Sequence, residues 1–598
     1  TKDIQNSCLN SKKIVLSLAA ISFSASCTHA TLTPEIETYE EATNRHTKAR
    51  SASRSTDSNN KTTISSLQNS TQTVSNTGNT LVIESSGTIT ISNGGQQAVN
   101  FTQGSSTSTF LNKGTLIGGN NAASVQLGAS NNNGVTIETF NNQGIIGNGS
   151  SKFGVTVWGT NSSKSTINNF SNNGTIHSNA GESIYFGNAN ISSFANSGTI
   201  KSKQGTGVNI SQGTSIENFN NTGTIEGRMG VNVRSTINTF VNDGLIAATN
   251  DGIQINTNAN VKTLINKGTI QGFSAPIKSS GGTIETLTNE GTMKGESIGI
   301  YMNRGFVKTL TNSGTINQNN SATWAAGIKL ENGSTIENII NTGSIHSNAF
   351  GISVTDGKFG TLTIKDGGMV YAKYAAIGVG QSQTLGDLYI DGSLNNGRVS
   401  GIYSEEHGIL LENNSRTQKI ELKNGGIIKG KIDGIRLTDS ASLSGEMILS
   451  GEGSRVEGGS AAGILNRSGK ITGSITIKDG ATVTATSNRA IVNHRSGSIT
   501  GGITVSGKNT KLQGNIINMG NASIGSDIKI EDGAKVEGGL VNQDNGAISG
   551  SITVDKNSKL DSITNTSTSS TGISGSITNN SDNKLEISNS GNIGGKIE

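Results

Sequence analysis

The sequence predicts an all-β chain that folds as a right-handed parallel β-helix, a solenoid with coils of about 21–30 residues. Three observations predict this fold. The motif Asn-x-Gly-x-Ile, with Leu or Met in place of some Ile, recurs ten times between Asn112 and Ile345. Apolar and polar residues alternate through each motif, as they do in a strand, and the recurring Gly, Asn and β-branched residues argue against helices. One unit cannot bury its apolar face alone, whereas stacked coils can.

The repeat places an Asn two positions and an apolar residue four positions before each Gly. These positions share one face of an extended strand, and like positions would stack about 4.8 Å apart in successive coils. We therefore predict an aromatic ladder, and a structural ladder of hydrogen-bonded amides beside it. The aromatic ladder would comprise Phe110, Phe140, Phe170, Phe194, Phe219 and Phe240, continued by Leu264, Leu287, Leu310 and Ile339. The asparagine ladder would comprise Asn112, Asn142, Asn172, Asn196, Asn221, Asn242, Asn266, Asn289, Asn312 and Asn341.

The composition excludes several classes of protein. Hydrophobic residues make up 31% of the 598 residues, which is low for a multidomain globular enzyme. No stretch after the N-terminus reaches the roughly 18 consecutive apolar residues of a transmembrane helix. Ile and Val recur regularly, which argues against full disorder. The net charge is +4, with 46 basic and 42 acidic residues well mixed, and this gives no indication of nucleic-acid binding.

Residues 1–30 have the features of a secretory signal peptide. Lys12 and Lys13 precede the apolar run Ile14–Phe23, small residues follow, and cleavage is predicted after Ala30. A lipoprotein signal would use Cys27, although Ser24 stands where that signal has an aliphatic residue. A buried helix fits these flanks less well than either signal.

Cysteine usage agrees with export of a chain that has no disulfides. Both cysteines, Cys8 and Cys27, lie in the segment that cleavage would remove. The mature chain would then have no cysteine, so it is not a disulfide-stapled scaffold. Extensive regular structure must stabilise it instead.

Three segments follow the signal peptide. Residues 31–78 are predicted to be polar and largely disordered, with a short helix over 34–49 that begins at Pro34. Residues 79–351 are predicted to form the β-helix coils with the Asn-x-Gly-x-Ile motif. Residues 352–598 are predicted to continue the β-helix with the motif Ile-x-Ile-x-Asp-Gly. The alternative is a separate β-sandwich, in which the sequence would not repeat once per coil. The one-coil period is carried by Ile475, Ile503, Ile528, Ile552 and Ile577.

The sequence gives no indication of a catalytic, cofactor or metal site. Gly295–Gly299 matches the nucleophile motif Gly-x-Ser-x-Gly, but no helix-forming run follows it, so we interpret it as a solenoid corner. No two of the six histidines have metal-ligand spacing. Glu405-Glu406-His407 is interpreted as a solvated turn, and Trp158 and Trp324 as loop packing or, alternatively, a contact patch. We predict that five aspartates lie in turns, where Asp is common, and have no catalytic or metal-binding role. They are Asp356, Asp366, Asp391, Asp479 and Asp532.

The signal peptide, the cysteine-free mature chain and the repeats resemble the passenger region of a bacterial autotransporter, secreted by the type V route. Asn169–Ile176 and Asn218–Ile225 are similar to the repeats of large epsilonproteobacterial surface autotransporters, which include adhesins and relatives of a vacuolating toxin. The likeness covers about residues 80–598. It implies a C-terminal translocator barrel, which we expect beyond residue 598 because the repeat is still running at Glu598.

The function implied is contact at the outer membrane, the cell surface or the extracellular space. We expect a virulence-associated adhesin that binds an unidentified host-cell or cell-surface receptor and has no catalysis, no cofactor and no nucleic-acid partner. The alternatives are a secreted pore-forming or vacuolating-type toxin and a β-helix enzyme that acts on polysaccharide.

Overall fold

Strands stacked in parallel make up the regular structure of this protein, and no helix occurs among the described residues. The structure is a computed structural model that describes residues 54–56, 60–75, 78–129, 133–318, 325–393 and 397–598, all within the unit Ala52–Glu598. The predicted all-β parallel solenoid is confirmed. The predicted signal peptide, its cleavage site after Ala30 and the helix over 34–49 lie outside the described residues.

Each coil contributes three strands, and each strand pairs in parallel with its equivalents in the coils before and after it. The coil that begins at Ser106 has strands Ser106–Asn112, Thr115–Ile117 and Ala123–Leu127. Phe110 pairs with Phe140, Thr115 with Ile145 and Val125 with Val155 in the next coil. Three parallel ladders therefore run along the stack, and we number them in the order in which a coil enters them.

The first ladder holds the longest strands of the early coils and then splits in the later ones. Its undivided strands are Lys61–Ile64, Asn79–Ile83, Ser106–Asn112, Thr136–Asn142, Ser165–Asn172, Ala189–Asn196, Ser215–Asn221, Thr236–Asn242, Asn260–Asn266, Thr283–Asn289, Phe306–Asn312, Ser334–Asn341, Gly357–Ile364, Thr384–Asp391 and Arg416–Lys423. Its divided strands are Ser442–Leu443 with Met447–Ser450, Lys470–Ile471 with Ile475–Lys478, Ser498–Ile499 with Ile503–Ser506, Ser523–Ile524 with Ile528–Glu531, and Ala547–Ile548 with Ile552–Val554, before Ile577–Asn579.

The second and third ladders are separate at first and share continuous strands near the end. The second comprises Leu67–Gln68, Thr88–Thr90, Thr115–Ile117, Ile145–Ile146, Thr175–Ser178, Thr199–Ser202, Thr224–Gly227, Leu245–Ala248, Thr269–Gly272, Thr292–Gly295, Thr315–Gln318, Ser344–Ser347, Met369–Ala372, Gly401–Ser404, Ile427–Gly430 and Arg455–Gly458. The third comprises Gln72–Val74, Val99–Phe101, Ala123–Leu127, Phe153–Trp158, Ile184–Gly187, Thr206–Ile210, Met229–Val233, Asp251–Asn256, Ala275–Ser280, Ile298–Asn303, Ala326–Glu331, Phe350–Val354, Ala375–Val379, His407–Leu411, Asp433–Thr438 and Ala462–Arg467. The later strands are Thr482–Arg495, Lys511–Gly520, Lys535–Asn542, Lys559–Asn565 and Glu586–Asn589.

The stacked strands begin earlier than the sequence predicts. Lys61–Ile64 already pairs in parallel with Asn79–Ile83, within the segment 31–78 that was predicted to be largely disordered. Ile64 and Val74 are buried among polar neighbours, so single apolar residues suffice to dock these short strands on the next coil. The strand Arg54–Thr56 lies antiparallel to Lys61–Ile64 and covers the edge that the first coil would otherwise leave open.

The change of repeat at residues 351 and 352 does not interrupt the stack. The third-ladder strand Phe350–Val354 spans this point and pairs with coils on both sides. In the second half, Ile475, Ile503, Ile528, Ile552 and Ile577 lie in one column of the first ladder, as predicted. The two repeat types therefore differ in side chains and share one continuous core.

The core contains the aromatic column expected from the sequence. Phe140 and Phe170 have ring centroids 4.4 Å apart and planes within 6° of parallel, and Phe219 and Phe240 are 4.3 Å apart at 11°. Leu264 follows Phe240 in register, and the column continues through Leu287, Leu310 and Ile339. All of these side chains are buried, so the column fills the space enclosed by the three ladders.

Candidate functional site

The ten predicted asparagines form one buried column at the corner where each first-ladder strand ends. Nδ2 of each donates to Oδ1 of the Asn in the next coil at 2.7 to 2.8 Å, from Asn112 onto Asn142 through to Asn312 onto Asn341. Nδ2 of Asn221 also lies 3.2 Å from the carbonyl oxygen of Gly223. The column therefore joins successive coils and turns the chain into the second ladder.

The ends of this column differ from its middle. Ile83 occupies the equivalent position before Asn112, so Oδ1 of Asn112 is buried without a donor. Ile364 follows Asn341, whose Nδ2 instead donates to the carbonyl oxygens of Gly343 and Met369, at 3.2 and 3.1 Å. The column stops where the repeat replaces Asn by an aliphatic residue.

A second asparagine column, which the sequence analysis missed, lies at the opposite corner, where the chain leaves the third ladder. Asn466 donates to Asn493 at 2.8 Å, and the pattern continues onto Asn518, Asn542, Asn565 and Asn589. Oδ1 of its first member, Asn466, also has no donor. The signal was present in the sequence, since these residues recur every 23 to 27 positions, but they do not share the fixed Asn-x-Gly spacing.

The motif glycines allow close contact between coils. None of the ten has a positive φ, so their role is not to adopt a left-handed turn. A Cβ added to Gly223 would lie 2.1 Å from the carbonyl oxygen of Gly198 in the preceding coil. Any side chain here would push the coils apart, because real Cβ atoms do not approach backbone oxygens so closely.

The Gly-x-Ser-x-Gly motif is a corner, as the sequence analysis concluded. Gly295 ends a second-ladder strand, Ile298 begins a third-ladder strand, and the buried Ser297 lies in the turn between them. A nucleophile elbow needs a helix at that point. Among the described residues, no group of three or more His, Cys, Asp and Glu side chains could hold a metal ion.

Three of the five selected aspartates occupy tight turns. Asp366, Asp479 and Asp532 have φ values of 54°, 55° and 56°, and each is followed by a Gly with positive φ, as type I′ turns require. Asp391 accepts hydrogen bonds from the backbone and hydroxyl of Ser393. Asp356 is exposed, immediately before the strand Gly357–Ile364.

Trp158 packs on Tyr185 of the next coil, with ring centroids 4.4 Å apart. This contact agrees with the packing interpretation of Trp158. Trp324 lies outside the described residues.

One candidate for a binding site is a cleft that we call the aromatic cleft. It begins at the corner between the second and third ladders and reaches Glu412, which follows the third-ladder strand His407–Leu411. It has a volume of about 510 Å³ and is lined by Asn348, Ala349, Phe350, Lys373, Tyr374, Glu406 and Glu412. The lining comes from three successive coils. Clefts of this size with aromatic walls and a few polar groups are typical ligand sites.

Aromatic packing fixes the ring of Tyr374 in this cleft. The small Ala375 pairs with Phe350 on one side and with His407 on the other, which leaves room beside it. The centroid of the Tyr374 ring lies 5.1 Å from that of Phe350, with the two ring planes at 79°. It lies 5.7 Å from the centroid of the His407 ring, with the planes at 88°. Such edge-to-face contacts are favourable for aromatic rings. Tyr374 nevertheless remains 38% exposed.

The interpretation of Glu405-Glu406-His407 as a solvated turn is wrong for His407, which is only 5% exposed. His407 begins a third-ladder strand and pairs with Asp433 of the next coil. Its Nδ1 lies 3.2 Å from Oδ2 of Asp433, and Nη1 of Arg436 lies 3.5 Å from the same oxygen. The fully buried carboxylate is thus compensated by a guanidinium behind the cleft, which the local charge pattern did not indicate.

Two carboxylates at the cleft, those of Glu406 and Glu412, raise the pKa of Tyr374. Burial raises the pKa of the Tyr374 hydroxyl, and the charges of Glu412 and Glu406 raise it further. Glu405, by contrast, is turned away: it accepts a hydrogen bond from Tyr371 at 2.7 Å and pairs with Lys431 at 3.4 Å. The cleft therefore combines an exposed aromatic ring with two carboxylates.

Comparisons with family models, curated proteins and solved structures gave no match to this chain. None of the described residues forms a helix long and apolar enough to cross a membrane.

Proposed function

We propose that this chain is an exported contact protein, displayed on or released from a bacterial cell surface, in which the solenoid carries binding surfaces to a partner. The observation that carries the proposal is the difference between the inward-facing and the outward-facing residues of the stack. Inward positions repeat from coil to coil as columns of Asn, Phe and aliphatic residues. Outward positions vary, and in one place they form the aromatic cleft.

Stacked repeats suit contact with a macromolecule because many similar units together present an extended binding surface. In the second ladder, one outward position changes along the stack from Lys201 to Glu226, Ala247 and Gln271, and each of these side chains is at least partly exposed. A varied exterior on an interior that keeps its strand register and its apolar character allows recognition to change without loss of the fold. Adhesion, with the receptor unidentified, is the form of contact that we propose.

The export part of the proposal rests on the signal-peptide pattern of residues 1–30 and on the resemblance to autotransporter passengers. The test is a fusion of residues 1–30 to an alkaline phosphatase that lacks its own signal and is active only outside the cytoplasm. We expect active phosphatase in the periplasm of a Gram-negative host. A Leu16→Arg fusion, which interrupts the apolar run, is the matched control and should remain inactive. Equal activity of both fusions, or none from either, would contradict export by this segment.

A further inference from the structure

We propose that the aromatic cleft binds a basic side chain, the ammonium group of a lysine or the guanidinium group of an arginine, carried by a partner protein. This inference rests on the contact function proposed above and names the chemistry that one part of the surface would recognise.

The first support is the ring of Tyr374. Phe350 and His407 both pack against this ring at nearly perpendicular angles, which restricts its movement, yet Tyr374 remains 38% exposed. A cation over the face of an aromatic ring is attracted by the ring quadrupole, and the attraction increases when both are partly desolvated. A ring that is fixed before binding loses little entropy when a ligand arrives.

The second support is the pair of carboxylates. Glu406 and Glu412 are both partly buried at the cleft, and neither forms an ion pair within the described part of the chain. The nearby guanidinium of Arg436 lies beside the buried Asp433. A basic side chain in the cleft would meet the ring of Tyr374 at a site whose lining carries two carboxylates, and this gives the charge complementarity that a partner's cation requires.

Among the described residues that line the cleft, Lys373 is the one cation, and its charge acts on the pKa values of two groups outside that lining. Burial lowers the pKa of His346, and the charge of Lys373 lowers it further. The charge of Lys373 also contributes to the lowered pKa of Glu405, after the Tyr371 hydrogen bond and Lys431. The groups that perturb the pKa of Tyr374 are instead Glu412, Glu406 and Arg436, in addition to burial. Lys373 immediately follows the second-ladder strand Met369–Ala372, and its charge is not among the causes of the pKa shift at Tyr374.

The charge of the whole chain makes such binding easy to separate from nonspecific attraction. The net charge is +4, so a basic peptide has no general reason to associate with this protein. Binding of a basic peptide would therefore point to a local acidic site.

The test measures fluorescence anisotropy of a labelled peptide of alternating Gly and Lys with the purified full chain at low salt. The same peptide with every lysine Nε-acetylated is the ligand control. We expect saturable binding of the unmodified peptide and at least about tenfold weaker binding of the acetylated one. Equal binding of both peptides would overturn the proposal, as would no binding of either.

Variants locate the site. Glu406→Gln/Glu412→Gln should weaken binding roughly tenfold, and Tyr374→Ala about threefold, whereas Tyr374→Phe should keep most of the affinity. The matched controls are Glu285→Gln/Glu337→Gln, which removes two exposed carboxylates from the first ladder, and Phe273→Ala, which removes an exposed ring elsewhere. Neither control should change binding. If the controls reduce binding as much as the cleft variants do, the cleft is not the site.

Two further measurements complete the test. The first distinguishes a small free amine from a side chain of a protein, and the second distinguishes failure of this inference from failure of the proposed contact function. N-acetyl-lysine amide should bind much more weakly than the peptide; equal affinity would indicate a small-amine site and overturn the assignment to a protein partner. Binding of the full chain to cells is measured in parallel. Loss of peptide binding with cell binding intact contradicts this inference alone, whereas absence of both contradicts the contact function as well.

Discussion

Asn221 donates from Nδ2 to Oδ1 of Asn242, 2.8 Å away in the next coil, while its own Oδ1 accepts from Asn196 at 2.7 Å. All three side chains are buried. Each amide in the middle of the column is thus donor to one neighbour and acceptor from the other. Removing one member leaves a donor of one coil and an acceptor of another without their amide partners.

Asn221→Ala should destabilise its coil by about 1–3 kcal/mol, because buried polar groups that lose their partners are costly. Asn112→Ala should cost less, since Oδ1 of Asn112 has no donor to lose. Hydrogen exchange of the neighbouring strands measures both, with the exposed Asn220→Ala as control. Equal effects of the Asn221 and Asn220 variants would contradict a structural role for the column.

Phe194→Ala should cost about 3–5 kcal/mol, as large-to-small changes in cores do. Phe194 stacks on Phe219 at 4.3 Å and on Phe170 at 5.2 Å, and it is fully buried. Because coils contact only their neighbours, faster hydrogen exchange should be confined to the adjoining coils. Phe273→Ala, at a side chain that is 61% exposed, is the control and should have little effect. Unfolding of the entire chain in one transition by the Phe194 variant would count against this account.

Gly223→Ala should destabilise the stack by about 1–3 kcal/mol, the usual cost of overpacking. The added methyl group would lie 2.1 Å from the Gly198 carbonyl oxygen, and the backbone there is fixed by pairing on both sides. Gly95→Ala is the control, since a Cβ at Gly95 would meet nothing within 4 Å. Urea denaturation compares the two variants, and equal stability would mean that the coils can separate freely.

Asp391 should make the stability of the folded chain depend on pH in the acidic range. Partial burial opposes ionisation, but hydrogen bonds from Ser393 and Asn424, with Lys423 nearby, lower its pKa to about 2. A lowered pKa stabilises the folded state above the ordinary pKa of about 3.8, and this contribution disappears as the pH falls through about 2. Asp391→Asn should therefore reduce the loss of thermal stability between pH 5 and pH 2. The exposed Asp356→Asn should leave that loss unchanged.

The sequence could predict features that repeat with a fixed spacing. The first asparagine column and the phenylalanine stack were predictable because each coil places the same residue type at the same strand position. The second column was missed because its turns vary in length: Gly469 follows Asn466 by three residues, whereas Gly497 follows Asn493 by four. The early strands at Lys61–Ile64 and Gln72–Val74 were missed because each has too few apolar residues to show a period.

The aromatic cleft could not be predicted because it depends on residues of three coils that have no common motif. Phe350, Tyr374 and His407 come together only through the register of the third ladder and the small size of Ala375. The same register buries His407 against Asp433, although His407 follows two glutamates in the sequence. Local charge patterns describe a single turn, whereas burial here is set by the coil above and the coil below.

The central claim is that this protein acts by contact through the outer surface of its solenoid. The most direct measurement is a binding isotherm of the fluorescently labelled full chain on cultured host cells, with excess unlabelled chain as competitor. The account predicts saturable binding that the competitor abolishes. Binding that rises linearly with concentration and resists competition would contradict the claim.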